Sequence, residues 1–206
     1  MGKPAREALK AKKQAYIRDE ILTSAEELFA QRGIRAVTID DIAGSLGYTK
    51  SIIYYYFKNK NQLLWEIFCR IHDAWWEDMA SLVGQGLPPD ELLSAMIRKH
   101  ALNVMEKTTW TAIYFRDEGE LSEAQQKIVS QRKRKYTDLF KNVYRQGVEN
   151  GVFKDISASL AANSIIGLCN WTHVWFKETG KLSPNEIAGF YVMIAMRGCL
   201  VNPGAE

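Results

Sequence analysis

Apolar residues recur every three to four positions along nearly the whole chain, the period of a helix that buries one face. Ile17, Ile21, Leu22, Ala25, Leu28 and Phe29 form the first such stripe, from Ala15 to Arg32, and Gly33 stops it. Ile39, Ile42, Ala43 and Leu46 form the second. Thr38 precedes it as an N-cap, Asp41 can reach back from the third helical position, and Gly47 closes it. Thr49 offers a further N-cap, opening a short helix with Ile53 and Phe57 on its apolar side. Asn59 and Gln62 open a fourth helix, whose stripe of Leu63, Leu64, Ile67, Phe68 and Ile71 continues through Trp75, Met79 and Leu82 to Gly84. The run Gly84-Gln85-Gly86-Leu87-Pro88-Pro89 breaks it. A fifth helix follows from Asp90 to Glu106, then a short aromatic segment from Trp110 to Asp117. Ser122 and Gln125 open a long helix that Gly151 ends.

The last two helices differ from these. From Leu160 to Trp171 the residues are apolar or small on nearly all sides, and no charge appears before Lys177. Ser183, Pro184 and Glu186 start the final helix, which carries Ile187, Phe190, Tyr191, Ile194, Ala195 and Leu200 with little polar relief. A helix without a polar face lies inside a core or is covered by another molecule. No segment alternates long enough for a sheet, so the expected class is all-α with about nine helices.

The stretch Thr38–Leu63 carries the chemistry. Two short helices joined by a tight turn containing Gly47 have the helix-turn-helix plan, in which the second helix enters the DNA major groove. That second helix displays Lys50, Ser51, Tyr54 and Tyr55, and Lys58 and Lys60 follow where the chain would pass a phosphate strand. Charge agrees with this placement. Residues 1–60 hold eleven Lys or Arg against seven Asp or Glu, a balance of +4, whereas the other sixteen basic and seventeen acidic residues give −1. Lys3, Arg6, Lys10, Lys12, Lys13 and Arg18 supply much of the excess, either as a solvated tail or as an arm touching DNA. The length of 206 residues suits a DNA-binding head and a regulatory body: 1–60, a basic arm with the helix-turn-helix domain, and 61–206, a larger helical domain.

Residues 18–65 resemble the DNA-binding domain of the TetR (tetracycline-repressor) family of bacterial transcription regulators. The matching positions are Ile21-Leu22, Ala25, Leu28-Phe29, Gly33, Thr38, Ile42-Ala43, Gly47, Tyr54, Phe57, Lys60 and Leu63. Ile52 departs from the pattern, which usually has a small residue or Thr there; it either touches a thymine methyl or packs. The resemblance implies DNA contacts by Thr38, Thr49, Lys50, Ser51, Ile52, Tyr54, Tyr55 and Lys60, with Thr38, Tyr54 and Lys60 on phosphates. Tyr56 is expected to pack on the first helix.

It also implies a homodimer through the two C-terminal helices, as a palindromic double-stranded operator requires. Ala161, Ala162, Ser164 and Gly167 would allow close helix approach there; a monomer burying this surface internally is the alternative.

Trp75, His100, Trp110, Tyr114, Trp171 and Trp175 are the candidates for binding a small hydrophobic effector, although aromatic residues at helical spacing are as a rule ordinary core. From Arg132 to Ser183 the chain resembles a family branch that responds to acyl-CoA or related lipid-derived thioesters. The cues are Tyr136, Gly147, Gly151, Phe153, Asn170-Trp171, Trp175 and Gly180. Arg132, Lys133, Arg134 and Lys135 could meet a phosphate-bearing end or form a solvated face. The expected function is a repressor released from its operator by such an effector. The alternatives are a sensor of a xenobiotic or aromatic compound controlling an efflux system and, third, a helical enzyme. No catalytic constellation, metal-ligand spacing or cofactor motif argues for the last. Cys69, Cys169 and Cys199 are scattered among apolar neighbours, as buried reduced thiols are. No run approaches the ~20 apolar residues of a membrane span, so a cytoplasmic protein without a membrane partner is expected.

Overall fold

The structure is a computed structural model that describes residues 3–201. Met1, Gly2 and Asn202–Glu206, at the two ends of the expected domains, lie outside the described residues. The described chain forms nine α-helices: α1 (Lys3–Ala36), α2 (Ile39–Ser45), α3 (Lys50–Tyr56), α4 (Lys60–Val83), α5 (Pro89–Glu106), α6 (Thr108–Arg116), α7 (Glu123–Glu149), α8 (Ala158–Trp175) and α9 (Pro184–Cys199). A single 3-10 turn at Glu118–Glu120 and one antiparallel bridge, Phe153 to Leu200, complete the regular structure among these residues. The class is therefore all-α.

Local signals set most helix ends. At Thr38 the capping box is complete: its hydroxyl accepts from Asp41 N at 3.1 Å, and its own N–H donates to Asp41 Oδ2 at 2.7 Å. The same arrangement opens α7 at Ser122 and Gln125, and α9 at Ser183 and Glu186. Gly33, at φ 76°, breaks the helical path near the end of α1, a backbone region that side chains with a Cβ avoid. The other end of α1 differs from expectation. The helix starts at Lys3 rather than Ala15, so Arg6, Lys10, Lys12 and Lys13 stand exposed on helical turns and not on an irregular tail.

By contacts the chain forms two compact units, residues 1–71 with 112–126, and residues 72–111 with 127–206. In the first, α2 packs on α1 and on α3. Ile21, Ala25, Phe29, Ile42, Ile53, Phe57, Leu63, Ile67 and Phe68 are buried in it. Arg18 pairs with Glu66, and Arg70 with Asp19 and Glu26, which fastens α1 to the first half of α4. Arg116 donates to the carbonyls of Phe29 and Ala30, a cation at the negative end of a helix.

In the second unit α5 packs against both α8 and α9. Leu93, Met96, Ile97 and Ala101 meet Ala161, Ile165, Ile187, Tyr191 and Phe140 in one core. Gly147 is required by close packing: a Cβ there would lie 2.0 Å from Phe153 Cδ2. The Phe153 ring stacks on Tyr144, with centroids 5.1 Å apart, and the Tyr144 hydroxyl donates to Lys154 O at 2.9 Å.

Candidate nucleic-acid interface and effector cavity

Helix α3 turns Ile53 and Phe57 inward and leaves Lys50, Ser51, Tyr54 and Tyr55 exposed; Ile52 is half-buried. Burial of Ile53 and Phe57 fixes which face looks out, so the outward set follows from the helical period. Seven residues at 1.5 Å each give a rod of about 10 Å, and the ~12 Å major groove admits a helix of this kind. The arrangement brings seven of the eight expected DNA-contact residues onto exposed or half-exposed positions of one helix-turn-helix segment, but their hydrogen-bond states differ.

Thr38 is occupied: besides accepting from Asp41 N, its hydroxyl donates to Asp41 Oδ2 at 2.6 Å. Those bonds and the neighbouring Arg32 hold the Asp41 carboxyl below its usual range. Thr49 takes the N-cap backbone conformation of α3, yet its side chain makes no capping bond. The third residue of α3 is Ile52, whose side chain has no polar atom to reciprocate as Asp41 does for Thr38, so no capping box can close there. Lys50 donates to Asp40 Oδ2 at 2.8 Å across the turn, which raises its pKa. Gln14 of α1 donates to the Tyr55 hydroxyl at 3.0 Å, and the Tyr56 ring stands edge-on to Tyr55 at 4.9 Å, beside Ala15 and Arg18 of α1.

Lys60 departs most from a free phosphate clamp. It is half-buried, and its ammonium donates to Ile34 O at 2.6 Å and Val37 O at 2.7 Å. It satisfies carbonyls where α1 ends and the chain turns into α2, an internal task that leaves one of three donors. Lys58 is the exposed cation of this exit.

The six effector candidates are not gathered in one place. Tyr114 belongs to the first unit, stacked on Phe68 at 5.6 Å, and burial raises its pKa. Trp75 is buried, and Trp110 lies under the Lys107 ammonium at 4.6 Å. Trp171 and Trp175 are on the outer face of α8, 63% and 45% exposed. Buried His100 joins a polar trio with half-buried Tyr136 and Asn170: Nδ1 meets the Tyr136 hydroxyl at 2.9 Å and Nε2 meets Asn170 Oδ1 at 3.1 Å. An amide oxygen can only accept, so Nε2 carries the proton and Nδ1 accepts from Tyr136. Burial pushes the His100 pKa down to about 4, which keeps the ring neutral.

The second unit instead forms an open cavity of about 280 Å³ between the second half of α4 and the middle of α7. His72, Asp73, Trp76, Arg132, Lys135 and Tyr136 line it. His72 and Trp76 are one turn apart on α4, and Arg132, Lys135 and Tyr136 share a face of α7, spacings visible in the sequence. Which two helices would face each other was not.

Leu160, Trp171, Val174 and Trp175 of α8 and Phe190, Met193 and Ile194 of α9 are exposed, an apolar surface on the two expected dimer helices. Ser164 and Gly167 are on exposed positions with them. Ala161 and Ala162 are not: they are buried within their own chain and belong to its core. Among the described residues no helix is long and apolar enough to cross a membrane, and no three metal-ligating side chains converge.

Residues 21–67 match a family described as bacterial regulatory proteins, tetR family, and residues 86–199 match the tetracyclin repressor-like, C-terminal domain. The HTH-type transcriptional repressor KstR2 of Mycolicibacterium smegmatis is 27% identical over 190 residues, covering 91% of this chain and 92% of that one. The crystal structure of AibR in complex with isovaleryl coenzyme A and operator DNA is similar at a TM-score of 0.79 and 28% identity, over 86% of this chain and 96% of that one. The ketosteroid transcriptional regulator KstR2 of Mycobacterium tuberculosis shares the fold, with a TM-score of 0.80 at 24% identity over 89% and 94% of the two chains.

Proposed function

Because this chain belongs to the TetR family of bacterial regulatory proteins, and is thus a DNA-binding transcriptional regulator, we propose that it represses genes behind a palindromic operator and is released by a small hydrophobic effector. The favoured effector is an acyl-CoA or related lipid-derived thioester. The observation that carries the effector class is the likeness, over 86% of this chain, to AibR, a protein solved with isovaleryl coenzyme A and operator DNA. The working form is a homodimer through α8 and α9, because their exposed apolar surface needs a cover and two half-sites need a two-fold partner. Lys50, Ser51, Tyr54, Tyr55 and Thr49 read and grip the duplex from α3, Ile52 supports them from its half-buried position, and Thr38 and Lys60 hold the frame behind them. The division of labour falls near residue 60, with the reading head before it and the effector and dimer domain after it. The protein acts in the cytoplasm and needs no catalytic step or cofactor.

The effector acts by preferring one conformation over another, and differential affinity alone sets how far operator binding shifts. Selecting bound duplexes from a random pool should enrich a palindrome, and sedimentation should give a dimer. Acyl-CoA thioesters of graded chain length should then weaken binding to that palindrome about 5- to 150-fold. No enriched sequence would remove the DNA-reading assignment, and indifference to every thioester would remove the effector class.

A further inference from the structure

The cavity between α4 and α7 carries an excess of positive charge. Arg132 and Lys135 meet a single carboxylate among its lining residues, Asp73. His72 adds no charge: burial first, then the nearby Arg132 and Lys133, push its pKa down to about 4. Trp76 and Tyr136 supply aromatic walls. We propose that this cavity binds the anionic end of a small molecule, a phosphate or carboxylate held by Arg132 and Lys135 with its carbon skeleton against Trp76 and Tyr136. The proposal rests on reading the second unit as an effector domain and adds where, and by which chemistry, the effector is held.

The ion pair already present shows how an anion would sit. Arg132 donates to Asp73 Oδ1 at 2.9 Å, and the Asp73 side chain is 66% exposed. A solvated pair of this kind contributes little, so an arriving anion can take the carboxylate's place on the guanidinium. Volume restricts what enters. A space of about 280 Å³ corresponds to about nine water-sized groups, enough for a phosphate with a few attached atoms or for a short acid. The rest of a longer effector would leave through the open side. Tyr136 lines this cavity and also donates to His100, which in turn holds Asn170 of α8. An occupant pressing on Tyr136 therefore acts on a bond to buried His100, whose other partner, Asn170, precedes Trp171 on α8.

Calorimetric titration of the full chain with 4′-phosphopantetheine and with pantetheine, which differ by one phosphate, tests this. Phosphopantetheine should bind at least about tenfold tighter, and a double R132Q/K135Q variant should lose about 10- to 100-fold for it while leaving pantetheine unchanged. D73N should move the other way, about 3- to 10-fold tighter, since it removes the competing carboxylate. Octanoate showing the same loss and gain would keep the site and make its anion a carboxylate. Insensitivity of both anions to the variants, or weaker binding by D73N, would overturn the proposal. Operator release is read separately. Release by thioesters that survives in the double variant would remove this site and keep the regulator, whereas anion binding without effect on the operator would keep the site and remove its regulatory role.

Discussion

The two units of this protein place their chemistry in opposite ways. The residues proposed to read or frame the duplex lie, in the first, in a single stretch from Thr38 to Lys60, ordered by caps, a glycine turn and two short helices. The cavity of the second joins α4 to α7, and a direct polar link across it, Arg132 to Asp73, spans 59 residues of sequence. A local site needs only the backbone to take the intended turns, whereas a site shared between helices exists only if the core fixes how they pair. Function in the head should therefore respond to individual side chains, and function in the body to packing.

The largest effect is expected from packing in the body. Gly147→Ala places a Cβ at 2.0 Å from the Phe153 ring, which is itself stacked on Tyr144 and buried. Overpacking of this kind costs about 3 kcal/mol, so the variant should show a markedly lower melting temperature in thermal unfolding followed by circular dichroism. A variant that melts with the parent would mean that Phe153 moves aside freely. The body would then be less constrained than its core suggests.

The same contrast explains what could be read before the fold was seen. The capping pairs Thr38 and Asp41, Ser122 and Gln125, and Ser183 and Glu186 are three residues apart, so one turn of chain determines them, and all three form. The outward set of α3 follows from burying Ile53 and Phe57. Lys60 was not legible, because its acceptors at Ile34 and Val37 come from the other side of α2. The six aromatic candidates failed to gather for a related reason. Composition marks a residue as aromatic but does not say whether it faces its own core, as Trp75 does, or solvent, as Trp171 does. Gly147 stood out in the sequence as part of a family resemblance; its physical cause, the Phe153 ring, needs the turn that follows α7.

A middle-sized effect should separate two tasks within the head. Lys60→Ala leaves the carbonyls of Ile34 and Val37 without their charged donor, which should cost about 2 kcal/mol of stability. A phosphate clamp would give another outcome: unchanged melting and a salt dependence of operator binding shallower by about 0.9 in slope. The expected result is lower stability with the slope unchanged. The reverse would return Lys60 to the DNA surface and make the head more uniform than the geometry implies.

The smallest effect is the sharpest, because it compares two threonines eleven positions apart in equivalent places. Thr38 and Thr49 both occupy N-caps with extended backbone, at φ −103° and −88°, but only Thr38 closes a capping box. Thr→Val keeps the shape and removes the hydroxyl. At Thr38 it should cost about 1 kcal/mol of stability, the usual worth of an N-cap bond, and operator affinity should suffer mainly through that loss. At Thr49 the hydroxyl makes no capping bond, so melting should stay within about 0.5 kcal/mol of the parent. Any drop in operator affinity there must then come from a lost DNA contact, expected at about 1 kcal/mol for one neutral hydrogen bond. Measuring melting and operator affinity for both variants places each threonine on one side of the line between building the head and reading with it. If Thr49→Val lowered stability without touching affinity, the open hydroxyl at the tip of α3 would be scaffold, and the reading surface would begin at Lys50.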